Sequence, residues 1–92
     1  MNAASQGTVR LSEREALYLR NTAFLPDLLA NIIASATLGD DRELTISVSH
    51  AILEKFREVF TEHLARVGFD TKYEPTSEGK LLEGLIDRFY VK

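Results

Sequence analysis

The sequence predicts a small, helix-rich α+β domain. Four stretches carry apolar residues at the helical period. Two short stretches alternate apolar or neutral side chains with polar or charged ones, as strands do, and turn residues separate these stretches. The predicted order is α-α-β-α-β-α, with a two-stranded sheet. Because two strands make a marginal sheet alone, either the helices cover it or a second copy of the chain completes it across a dimer.

The first two predicted helices are separated by a proline. Ser12 and Glu15 can form a capping box, so we expect the first helix over residues 13–24. Pro26 ends this helix because it lacks an N–H group, and its fixed backbone angle suits the first turn of the second helix. Gly39 is expected to stop the second helix in a left-handed conformation.

The middle of the chain predicts a strand followed by the clearest helix. Residues 44–48 alternate Leu, Ile and Val with Thr and Ser, the pattern of a strand with one buried face. Ser49 then caps a helix whose apolar stripe extends from Ile52 to Val67. An acidic row recurs every four residues on this helix and indicates either a solvated face or a docking surface for a basic partner; it consists of Glu54, Glu58 and Glu62.

The stretch that follows predicts the second strand and the last helix. Gly68 is expected to end the third helix in a left-handed conformation. Residues 69–74 alternate apolar or neutral with charged side chains up to a proline, which predicts a solvated or edge strand. Thr76 or Ser77 then caps the last helix.

Two glycines lie inside the last predicted helix, Gly79 and Gly84. A glycine in a helix interior costs about 1 kcal/mol relative to alanine. Gly84 either allows a close helix contact or is neutral, and the pattern does not separate these alternatives.

The domain organisation follows from length and from the character of the N-terminal end. Residues 1–9 are small and polar without periodicity, which predicts a flexible tail ahead of a single globular domain over residues 10–92. The tail lacks the apolar segment of a secretory signal, and no run approaches the ~20 apolar residues that span a bilayer. We therefore expect a cytoplasmic protein with no membrane partner.

Residue types that perform catalysis are present without the spacing that active sites need. The absence of cysteine excludes disulfides, thiolate nucleophiles and cysteine-ligated metals. His50 is interpreted as a surface residue and His63 as a half-buried one, with a metal or catalytic role as the alternative. No nucleophile elbow, phosphate-binding loop or dinucleotide motif occurs. The sequence thus predicts no catalytic, cofactor-binding or metal site, and no enzyme.

The charge favours a protein partner. A net charge of −3 argues against nucleic-acid binding, which needs clustered Lys and Arg, and suits a basic protein. We expect a protein–protein interaction module, such as an adaptor, an antitoxin-like inhibitor or an immunity-type inhibitor. The alternative is a homodimeric regulatory or ligand-binding domain, and a nucleic-acid binder using the first two helices is favoured least. Tyrosines offer apolar area and a hydroxyl, so the candidate interaction residues are Tyr18, Glu54, Glu58, Glu62, Tyr73 and Tyr90.

Overall fold

Four helices and a two-stranded antiparallel sheet make up residues 6–90, the part of the chain that the computed structural model describes. The α+β class is confirmed, and so are the four predicted helices and the strand that precedes the third of them, although the first helix ends at Asn21 and not at residue 24. Completion of the sheet across a dimer stays a prediction. In chain order the elements are β1 (Gln6–Leu11), α1 (Glu13–Asn21), α2 (Asp27–Ser35), β2 (Leu44–Ser49), α3 (His50–Val67) and α4 (Ser77–Arg88).

The second strand of the sheet comes from the N-terminal end of the described chain, and not from residues 69–74. β1 pairs with β2 in antiparallel register, from Gln6 opposite Ser49 to Leu11 opposite Leu44. Helices α1, α3 and α4 all contact β1. The strand that sequence reasoning did not find is therefore central to how the helices are held together.

Residues 1–9 were predicted to be a flexible tail, but residues 6–9 belong to strand β1. Residues 1–5 lie outside the described residues. In β1 every second residue is buried, namely Gly7, Val9 and Leu11. Successive side chains of a strand point to opposite faces, so one face of β1 packs on the helices while the other faces solvent.

Residues 69–74 form a tight loop between α3 and α4 instead of a strand. The Asp70 N–H donates to the carbonyl of Glu74 at 2.9 Å, and Asp70 Oδ1 accepts from the N–H groups of Lys72 and Glu74 at 2.8 and 3.0 Å. Tyr73 takes a left-handed backbone conformation, with a φ of 63°. The Asp70 side chain thus offers the local backbone hydrogen bonds that compete with strand pairing.

The predicted caps of α1, α3 and α4 are confirmed, and α3 ends before Gly68 as predicted, but the left-handed conformations predicted for Gly39 and Gly68 are wrong. Ser12 forms the capping box of α1, Ser49 caps α3, and Thr76 caps α4. Gly68 follows α3 with right-handed angles, a φ of −75° and a ψ of −14°. Gly39 also keeps a negative φ, so neither glycine is required there for a left-handed turn.

A close backbone contact joins the start of α4 to the end of α3. A Cβ atom added at Gly79 would lie 2.8 Å from Gly68 Cα and closer still to the Gly68 carbonyl oxygen. A Cβ added at Gly84 would meet only Glu15 Oε2, at 3.9 Å. The close contact that the sequence allowed at Gly84 is therefore found at Gly79.

The core lies between the sheet and the helices and is centred on three phenylalanines. Phe56, Phe60 and Phe89 are fully buried, and their ring centroids are 4.7–5.8 Å apart. Aliphatic residues from the strands and the helices surround them, including Val9, Leu11, Leu19, Leu29, Ile33, Leu44, Ile46, Leu53, Leu82 and Leu85.

An ion pair between a buried carboxylate and a half-exposed arginine links the beginning of the fold to its end. Glu15 is 7% exposed, and its Oε1 lies 2.9 Å from Nε of Arg88. Arg88 Nη1 also donates to the carbonyl of Arg10 in β1, at 3.4 Å. One side chain at the end of α4 therefore contacts both α1 and β1.

Candidate functional site

A shallow surface groove between α3 and the C-terminal end of α4 brings four of the six candidate interaction residues together. Residues four apart on a helix lie on one face, about 6 Å apart along the axis, so the acidic row of α3 forms one side of the groove. The volume of the groove is about 470 Å³. We call it the α3–α4 groove; it is lined by Glu54, Arg57, Glu58, Thr61, Glu62, Ile86 and Tyr90.

Tyr90 is the exposed aromatic residue of the groove. Its side chain is 70% exposed, although the preceding residue, Phe89, is in the core. The guanidinium carbon of Arg57 lies 4.5 Å from the Tyr90 ring centroid, and Arg57 Nη1 donates to the Phe89 carbonyl at 2.7 Å. This cation–π contact restrains the ring and leaves most of its remaining surface open to solvent.

Carboxylates outnumber cationic side chains among the residues that line the α3–α4 groove. Three exposed carboxylates line it together with one guanidinium, that of Arg57. Glu62 pairs with Arg66 at 3.2 Å, whereas Glu54 and Glu58 form no ion pair within residues 6–90. An excess of negative charge of this kind attracts cationic groups.

Tyr18 lies elsewhere, in a half-buried cluster that joins α1, α3 and α4. Its hydroxyl donates to Glu78 Oε2 at 2.6 Å, and Nε2 of His63 lies 3.4 Å from the same oxygen. The His63 ring stacks on Phe24 with a centroid distance of 3.9 Å, which confirms the half-buried position predicted for this histidine. Burial, together with the Glu78 carboxylate, raises the pKa of Tyr18 well above its ordinary 10.0. The Tyr18 hydroxyl therefore acts within the domain, which favours a structural role.

Substitution of Tyr18 by phenylalanine tests this cluster. We expect Tyr18→Phe to lower the free energy of unfolding by about 1 kcal/mol at neutral pH, because one hydrogen bond is lost. The raised pKa of Tyr18 favours the protonated form in the folded state. The extra free energy of unfolding that Tyr18 gives the wild-type protein is therefore fully present below pH 10.0, the ordinary pKa of tyrosine. It is lost as the pH rises toward the pKa of Tyr18 in the folded state.

Urea unfolding at about pH 8 and about pH 11 measures this effect. The difference in the free energy of unfolding between the wild-type protein and Tyr18→Phe should be smaller at the higher pH. Tyr73→Phe is the matched control, since Tyr73 is 86% exposed. An equal response of both variants to alkali would contradict the assignment of the effect to Tyr18.

Tyr73, the sixth candidate, is not part of the groove. It projects from the loop between α3 and α4 with 86% of its surface exposed. Phe69 in the same loop is 49% exposed. The structure therefore separates the three tyrosines into a groove residue, a loop residue and a half-buried one.

Within residues 6–90, no group of three or more His, Asp or Glu is placed to hold a metal ion. His50 is exposed at the first turn of α3. None of the helices in this part of the chain combines the length and apolar content needed to cross a bilayer.

Sequence reasoning missed three residues of the groove, namely Arg57, Thr61 and Ile86. Arg57 follows Glu54 by three residues, so the helical period places it near the acidic row, but its stacking on Tyr90 depends on how α4 packs against α3.

No family model, no curated protein and no solved structure matches this chain.

Proposed function

We propose that this protein is a protein–protein interaction module that binds a basic segment of a partner protein in the α3–α4 groove. The observation that carries the proposal is the position of three carboxylates on successive turns of α3 beside the exposed ring of Tyr90. Exposed tyrosines are enriched among the residues that dominate binding at interfaces, and an excess of one charge favours a partner of the opposite charge.

The spacing of the carboxylates suggests the form of the partner segment. Glu54, Glu58 and Glu62 recur about every 6 Å along α3, and a partner helix with basic residues at i, i+4 and i+8 presents cations at the same repeat. Exposed ion pairs contribute only ~0.2–1 kcal/mol each, so they mainly steer association. Tyr90 and Ile86 add the apolar contact area that holds the complex together.

A module of this kind could serve as an adaptor, or as an antitoxin-like or immunity-type inhibitor that covers a basic surface of its target. A non-catalytic role and a cytoplasmic location are parts of the same proposal. The net charge of −3 and the absence of cysteine in the 92-residue chain support it.

Removal of charge from the groove tests the proposal. A helical peptide with arginine at i, i+4 and i+8 should bind Glu54→Gln/Glu58→Gln about three- to tenfold more weakly than the wild-type protein, because two ion pairs are lost. Fluorescence polarisation at low salt and at about 0.15 M salt measures the affinity and its screening.

The matched control is Asp40→Asn/Glu74→Gln, which removes two carboxylates that are exposed and outside the groove. This control should bind the peptide nearly as tightly as the wild-type protein. Equal weakening of both double variants would show that net charge, and not the groove, attracts the peptide. Failure of the wild-type protein to bind the peptide at low salt would refute the proposal.

Homodimerisation is the second candidate, and the sheet is the observation that favours it. Within residues 6–90, β1 has β2 as its one strand partner, so the sheet contains two strands. Open strand edges pair readily with other strands. Sedimentation velocity over a micromolar concentration range distinguishes a dimer from a monomer.

A further inference from the structure

The geometry points to a guanidinium-selective subsite at Tyr90: the partner residue that contacts this ring is an arginine and not a lysine. This inference rests on the proposed function, since it specifies which basic side chain the α3–α4 groove takes. It is carried by the contact between Arg57 and Tyr90, and the acidic row adds the charge complementarity.

The chain's own Arg57 shows that the Tyr90 ring accepts a guanidinium. The Arg57 guanidinium carbon is 4.5 Å from the ring centroid, and a hydrogen bond of 2.7 Å to the Phe89 carbonyl holds it there. Arg57 therefore covers part of the ring and restrains its orientation, while 70% of the Tyr90 side chain is exposed. A partner side chain that stacks on the exposed ring surface meets an aromatic group that is already oriented.

The nearby carboxylates offset the repulsion between Arg57 and a second cation. Glu54 and Glu58 lie three residues before and one residue after Arg57 on α3, and all three line the same groove. Within residues 6–90, neither carboxylate is paired with another charge. An incoming cation can therefore contact the ring and a carboxylate together.

Arginine satisfies this combination better than lysine. The guanidinium is planar, so it stacks on an aromatic ring and also presents two parallel N–H donors to a carboxylate. The lysine ammonium is a more strongly hydrated point charge that does not stack in this way. The half-buried Ile86 provides apolar surface for the aliphatic stem of the arginine.

The test uses two helical peptides that differ only in carrying arginine or lysine at i, i+4 and i+8. The wild-type protein should bind the arginine peptide about three- to tenfold more tightly. Tyr90→Leu keeps an apolar side chain but removes the aromatic face, so the ratio of the two affinities should fall to about one while salt-dependent binding persists. Tyr90→Phe keeps the ring and should preserve the preference, which separates the ring from the hydroxyl.

Three other outcomes would overturn the inference, and the measured affinities distinguish them from one another. Equal affinities of the wild-type protein for both peptides would overturn it and leave the proposed function standing. A preference for arginine that survives in Tyr90→Leu would show that the carboxylates alone select the guanidinium. If neither peptide binds the wild-type protein, both the inference and the proposed function fail.

Discussion

Gly79→Ala is expected to lower the free energy of unfolding by about 2–3 kcal/mol, although helix propensity alone predicts a gain of about 1 kcal/mol. The added Cβ would lie 2.8 Å from Gly68 Cα and would also overlap the Gly68 carbonyl oxygen. These are backbone atoms, and the same carbonyl accepts the Thr76 N–H at 2.8 Å. The clash can therefore be relieved only by moving the start of α4 away from the end of α3.

Gly84→Ala is the matched control within the same helix. Its Cβ would have Glu15 Oε2 as its nearest neighbour, at 3.9 Å, so we expect a gain of up to about 1 kcal/mol from helix propensity. Chemical denaturation of both variants measures the two effects. Changes of the same sign would contradict the close contact between Gly79 and Gly68.

Phe89→Ala is expected to lower the free energy of unfolding by about 3–5 kcal/mol. Phe89 follows the last residue of α4, yet it is fully buried, with its ring centroid 4.7 Å from that of Phe56 and 5.1 Å from that of Phe60. Truncation leaves a cavity lined by two aromatic rings that are held by α3 and cannot collapse fully. Urea unfolding monitored by circular dichroism gives the change directly.

Tyr90→Ala is the matched control for Phe89→Ala, because Tyr90 follows Phe89 in the sequence but is 70% exposed. We expect it to cost no more than about 1 kcal/mol, the loss of an exposed cation–π contact. A loss as large as that of Phe89→Ala would mean that the Tyr90 ring belongs to the core, and the groove would then lack its exposed aromatic residue.

The features that sequence reasoning predicted correctly are local ones. Ser12, Ser49 and Thr76 each cap a helix through a backbone N–H three residues ahead, so both partners are visible in a short stretch of sequence. The acidic row of α3 was predicted to share one face for the same reason, since the helical period alone sets its spacing.

The sheet pairing was not predictable, because it joins residues far apart in the chain. Strand β1 has a glycine at the first of its three buried positions, which weakens the strand pattern, and it pairs with β2 only after two intervening helices. Residues 69–74 carry a stronger alternation, but the side chain of Asp70 turns them into a loop. The contact of Arg57 with Tyr90 likewise depends on helix packing and was missed.

The contacts of Arg88 with β1 and α1 have a consequence for how the chain folds. Its hydrogen bond to Arg10 spans 78 positions of the sequence, so the first strand obtains its final cover only when the last helix docks. Contacts of such long sequence separation raise the contact order and slow folding. During synthesis, β1 and β2 emerge before α4, so the core around Phe89 closes only after both strands are available to pair.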